Sequence, residues 1–145
     1  MRTDAGRYDC TYCGMRATCL DHVIPRSFDY SGERSHDTNK RECVPACTEC
    51  NSLLSNMMYI TVANRAMFLA GRLAERHAKI LNAPDWSEEE YAELSGRLLK
   101  HVKSLQTKKK LVKARIDYAK SVAELTELTL EGVWVSQESG PKRTR

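Results

Sequence analysis

Three short blocks hold the side chains able to do chemistry: Cys10-Thr11-Tyr12-Cys13, Asp21-His22-Val23-Ile24-Pro25-Arg26-Ser27 and Cys47-Thr48-Glu49-Cys50-Asn51. Four thiolates in two C-x-x-C pairs suit one tetrahedral Zn2+ ion, with Cys10, Cys13, Cys47 and Cys50 as its ligands. Cys43 is the alternative to Cys47, but the C-x-x-C spacing is tighter. Four thiolates leave no open position on the metal. The role is therefore structural, and such a site supplies folding free energy to a lobe with little core. Cys19 and Cys43 fall outside the paired spacing and read as small, buried, apolar residues on strands. Residues 1–7 carry no apolar leader stretch, and paired C-x-x-C spacing in a reducing compartment indicates metal binding rather than disulfides. The expected location is therefore cytoplasmic.

Asp21, His22 and Asn51 are left over, all on the frame that zinc would lock. A neutral imidazole can take a proton from water and create a nucleophile for phosphorus. A carboxylate and an amide oxygen suit Mg2+ or Mn2+, which favour hard oxygen ligands. Together they point to cleavage of phosphodiesters. The bland reading is an Asp-His pair that caps a turn, but its placement between two knuckles and before Cys50-Asn51 favours the site. Adjacent strand residues point to opposite faces, so Asp21 and His22 need a bend to converge. Pro25 and the polar loop 31–39 would allow one.

At these residues the chain resembles the HNH endonucleases of the ββα-metal superfamily, in the four-cysteine, zinc-stapled form common in bacteriophage and bacterial proteins. The matching residues are Cys10-x-x-Cys13-Gly14, Asp21-His22-Val23-Ile24-Pro25-Arg26-Ser27 and Val44-Pro45-Ala46-Cys47-x-x-Cys50-Asn51, within about residues 8–55. The resemblance implies His22 as general base, and Asp21 and Asn51 as ligands of a catalytic Mg2+ or Mn2+. It places Arg26 near the scissile phosphate. Asn51 makes this the H-N-N variant. The family's middle Asn, before the second strand, aligns with Glu42; Asn39, three residues earlier, is the candidate to orient His22 in its place.

The elements that must position these groups are of α+β class: a small zinc-stapled ββα lobe over 8–55, then a mainly α-helical part. The order reads as a strand within Ala17–Ile24, a loop, a strand around Cys43–Ala46, and a helix starting near Asn51. Residues 56–130 form a helical extension for DNA binding or dimerisation, and 131–145 a flexible tail. Ile60, Ala63, Met67, Ala70 and Leu73 recur at helical spacing until Pro84 stops the run. Ser87-Glu88-Glu89-Glu90 spells a capping box, with Trp86 and Tyr91 as its staple. Leu94, Leu98, Val102 and Leu105 continue the stripe. Leu111, Ile116, Ala119, Val122, Ala123 and Leu125 carry it to a stop at Gly132. Lys108-Lys109-Lys110 reads either as a break or as exposed residues of one continuous helix.

Charge is unevenly spread. Residues 1–55 carry seven Lys and Arg against eight Asp and Glu, whereas 97–120 carry nine against Asp117 alone. Arg97, Lys100, Lys103, Lys108, Lys109, Lys110, Lys113, Arg115 and Lys120 are candidate phosphate contacts, which position nucleic acid without reading its sequence. No run is apolar and long enough to span a membrane. The expected partner is DNA, with a homodimer through the helical part or a phage packaging or replication protein as further partners. If phage-encoded, the chain would work in the bacterial host cytoplasm. The rival reading is a non-catalytic zinc-knuckle module that grips nucleic acid without cutting it.

Overall fold

The computed structural model describes residues 7–24, 43–55 and 57–134, with side chains to residue 125. Its elements are β1 (Cys19–His22), β2 (Cys43–Ala46), α1 (Thr48–Leu54), α2 (Val62–Arg76), α3 (Ala78–Leu81), α4 (Glu88–Glu93) and α5 (Gly96–Trp134). This is the expected α+β class: a two-stranded antiparallel sheet and a mainly helical remainder.

The first knuckle is a tight turn closed by an Asp9–Arg16 bridge. Gly14 takes a φ of 71°, the left-handed conformation that glycine adopts without strain. A Cβ there would sit 3.1 Å from the Tyr118 ring of α5, so a side chain is strained by conformation and crowded by that ring. Strands β1 and β2 pair in the register Cys19↔Ala46, Leu20↔Pro45, Asp21↔Val44 and His22↔Cys43. The knuckle then ties to the sheet: Thr11 N–H donates to the Pro45 carbonyl and Thr18 N–H to the Ala46 carbonyl, both at 2.9 Å. Proline in β2 is tolerated because a two-stranded sheet has only edges.

Helix α1 begins three residues before the expected start at Asn51. Its N-cap is Cys47, whose sulfur accepts from the Cys50 N–H at 3.4 Å. Helix α2 starts at the Thr61 cap, whose hydroxyl accepts from the Asn64 N–H. Its buried face is Ala63, Arg65, Ala66, Leu69, Ala70 and Leu73. The expected stripe differs: Ile60 precedes the cap and Met67 points outward, and both are exposed. The alanines allow α2 to lie close against α5, the principal helix pairing of the fold.

Each of the two expected helices, the one stopped by Pro84 and the one capped at Ser87, is interrupted once. His77 ends α2, and only the single turn of α3 precedes Pro84. The capping box at Ser87 and Glu90 forms as expected, but Leu94 is extended and Gly96 has a φ of 58°. From there α5 runs unbroken through Lys108-Lys109-Lys110 and past Gly132. Its inward stripe is Val102, Leu105, Lys109, Val112, Ile116, Ala119 and Ala123, alternating steps of three and four. Leu98, Leu111 and Leu125 lie outside it and are exposed.

One continuous core joins the cysteine lobe to the helices. It runs from Cys10, Tyr12, Cys50 and Leu54 to Leu69 and Leu73 of α2 and to Val112 and Ile116 of α5. Two of the basic residues expected to contact phosphates lie inside this fold. Lys109 is 6% exposed and donates to the Ala83 carbonyl and to Asp85 at 2.7 Å. Arg115 is 9% exposed and pairs with Glu49 at 2.6 Å. A buried cation already paired with a carboxylate cannot meet a phosphate, so both are withdrawn from the candidate DNA contacts.

Candidate metal centre and active site

The cysteines come from three places: the first knuckle supplies Cys10 and Cys13, the end of β2 leads into Cys47, and the first turn of α1 supplies Cys50. Their sulfurs all lie within 4.8 Å of one another, and all four residues are buried. Cys13 Sγ and Cys47 Sγ are 3.7 Å apart. Zn–S bonds of about 2.3 Å put the sulfurs of a tetrahedral site about 3.8 Å apart. The donor set and its spacing therefore fit one Zn2+ ion. Hydrogen bonding from Cys10 holds Cys47 far below the ordinary thiol range and draws Cys13 down to about 6. Hydrogen bonding within the cluster pushes Cys10 and Cys50 up. Cys19 and Cys43 stand outside this cluster, half-buried on the strands, and Cys19 donates to the Ala46 carbonyl at 3.3 Å.

Asp21 is 4% exposed and sits in a closed polar network. Arg65 of α2 grips it with two bonds, NH2 to Oδ1 at 2.7 Å and Nε to Oδ2 at 3.0 Å. The Tyr12 hydroxyl donates to the same Oδ2 at 2.5 Å. Arg65 NH1 donates onward to the carbonyls of Val23 and Tyr59 at 3.2 and 2.8 Å. Burial first, and then the Asp21 carboxylate, push the Tyr12 hydroxyl well above the ordinary phenol range, so it stays protonated as a donor.

His22 is half-buried and the β-ladder stays regular through it, so Asp21 and His22 leave the sheet on opposite faces. The expected bend follows His22, at Val23 and Ile24. Asn51 lies in α1 directly after Cys50, and Asp21 lies in β1, which contacts that helix. An ionised carboxylate offers about four lone-pair sites. Tyr12 and Arg65 fill both on Oδ2 and one on Oδ1. Arg26, Asn39 and Glu42, as well as the polar loop 31–39, lie outside the described residues.

The sequence reading missed the residues that anchor this arrangement. Arg65 was detectable as a charge in register with Ala66, Leu69 and Leu73. Glu49 gathers three partners: Arg76 Nε at 3.2 Å and His77 Nε2 at 2.8 Å on Oε1, and Arg115 NH2 at 2.6 Å on Oε2. Only its place inside the second knuckle marks it in the sequence. No family model, curated protein or solved structure matches this chain. Among the described residues, no helix is long and apolar enough to cross a membrane.

Proposed function

We propose that this protein is a zinc-stapled, metal-dependent DNA endonuclease of HNH type. The observation that carries the reading is a lobe pinned by four buried cysteines, in which β1 carries Asp21 and His22 and α1 carries Asn51 directly after Cys50. In this reading zinc holds the scaffold through Cys10, Cys13, Cys47 and Cys50. Asp21 and Asn51 would hold Mg2+ or Mn2+, which would offset charge on the departing and equatorial phosphate oxygens. His22 takes a proton from water as the water oxygen bonds to phosphorus, and the bond to the 3′ oxygen breaks. The exposed lysines of α5, Lys100, Lys103, Lys110 and Lys113 among them, hold the DNA backbone.

A non-catalytic zinc module that grips nucleic acid is the second reading. The observation that favours it is the Asp21 carboxylate committed to Arg65 and Tyr12 on the face away from His22. Incubating zinc-loaded protein with supercoiled plasmid in Mg2+, Mn2+ or EDTA separates the two. Open-circle or linear product that requires the divalent ion supports the nuclease. Salt-dependent binding with no product in any metal supports the module.

A further inference from the structure

Helix α5 carries apolar residues on two faces. One is the inward stripe through Val112 and Ile116. Nearly opposite it on an α-helix run Thr107, Leu111, Ala114, Tyr118, Ser121 and Leu125, all exposed. Its large members are 46% (Leu111), 44% (Tyr118) and 64% (Leu125) exposed. The steps alternate four and three, the spacing of a coiled-coil seam. A single exposed leucine is ordinary, but a continuous heptad row marks a surface that another helix can cover. The polar members of the row are ready for burial. Thr107 and Ser121 donate their hydroxyls to the Lys103 and Asp117 carbonyls one turn back, at 3.0 and 2.9 Å. Covering them therefore orphans no donor.

Two features of the row indicate what covers it. Large and small residues separate by heptad position: Leu111, Tyr118 and Leu125 at one, Thr107, Ala114 and Ser121 at the other. A second copy of α5 running antiparallel, centred on the middle of the row, sets Leu111 against Ser121, Tyr118 against Ala114 and Leu125 against Thr107. A parallel copy would stack large on large and small on small. Charge points the same way. Residues 97–113 carry seven Lys and Arg and no acid, whereas 117–131 carry four Asp and Glu against Lys120 alone. Antiparallel pairing lays the basic half of each helix on the acidic half of the other. Along one flank of the row it brings Lys103 and Lys110 opposite Glu124 and Asp117 of the second copy. All four are exposed.

We propose that the outer face of α5 is the interface of a two-fold symmetric homodimer, in which two copies of α5 pair antiparallel through the row from Thr107 to Leu125. This does not depend on whether the protein cuts DNA. The flanking ion pairs stay in water, where they are weak, so they set orientation and leave their lysines available to phosphate.

The test is sedimentation velocity of the full zinc-loaded chain, without DNA and in reductant, over a concentration series. Wild type should pass from monomer to dimer. Leu111→Glu should weaken association by at least roughly tenfold, because the symmetry removes two apolar contacts and places two carboxylates in the seam. Zinc content and helicity should not change, since Leu111 is exposed. Lys103→Glu reads the orientation by sign. Antiparallel pairing sets it against Glu124 of the second copy, so association should weaken by roughly 2–30-fold. Parallel pairing sets it beside Lys108 of the second copy, and the same change would tighten association. Adding Glu124→Lys to Lys103→Glu restores opposite charges only in the antiparallel pair and should return association to near wild type. Four results overturn the proposal: a wild-type monomer at every concentration, a dimer indifferent to Leu111→Glu, tightening by Lys103→Glu, or a double variant no tighter than Lys103→Glu.

Discussion

Arg65→Met is the substitution whose cost follows most directly from the geometry. The guanidinium is 2% exposed and all four of its hydrogen bonds go to buried or half-buried acceptors: two to Asp21, one each to the Val23 and Tyr59 carbonyls. Methionine keeps most of the apolar stem but leaves Asp21 as a buried charge with Tyr12 as its remaining partner in this network. Removing one member of a buried ion pair costs about 3–5 kcal/mol, against a total of about 5–15 kcal/mol for a typical domain. At roughly 2–4 °C per kcal/mol for a chain near this size, the melting temperature should fall by about 6–20 °C. Replacing the pair together, Asp21→Leu with Arg65→Met, removes both charges and should recover much of the loss. Urea and thermal unfolding of the zinc-loaded single and double variants measure both quantities. A single-variant loss below about 1 kcal/mol, or a double variant whose losses simply add, would refute the reasoning.

Three further outcomes follow from the same contacts. Cys47→Ser removes a zinc ligand and the cap of α1 together, so the variant should lose stoichiometric zinc and the cooperative unfolding of the lobe, read by metal analysis and near-UV circular dichroism. Burial would raise the Glu49 carboxyl, but the hydrogen bond and charge of Arg115, and then those of His77, outweigh it and hold Glu49 below 4.5. A lowered folded pKa gives stability that is present above the ordinary carboxylate value and lost as pH falls through the lowered one. The difference in urea midpoint between wild type and Glu49→Gln should therefore be constant near neutrality and shrink below about pH 4.5. Lys109→Met should cost about 1–3 kcal/mol by orphaning the Ala83 carbonyl, yet leave the salt slope of DNA binding unchanged. The same change at exposed Lys110 should do the reverse.

Where side-chain chemistry and local pattern agree, the fold was legible. The paired cysteines, the two strands and the Ser87 capping box sit where their spacing puts them. The start of α1 was hidden because its cap is a thiol, whereas cap signals are read from Ser, Thr, Asp and Asn. The face of α2 was misjudged because Met67 and Ile60 look more apolar than the alanines that actually meet α5. Burial there is decided by close helix approach, not by side-chain size. Lys109, Arg115 and Arg65 show an inward register in the sequence, but their burial is not legible from it for a related reason. Each occupies an inward register, and each is acceptable there only because a distant segment supplies its acceptor: Asp85, Glu49 and Asp21. Asp21 and His22 were recognised, but the buried network that holds Asp21 comes from Tyr12 and from a helix more than forty residues downstream.

Whether His22 activates water is read from plasmid cleavage in Mg2+ or Mn2+ by wild type and His22→Ala preparations of equal zinc content and equal helicity. Wild type should give nicked or linear product and His22→Ala none; equal cleavage by both rules out His22 as the base.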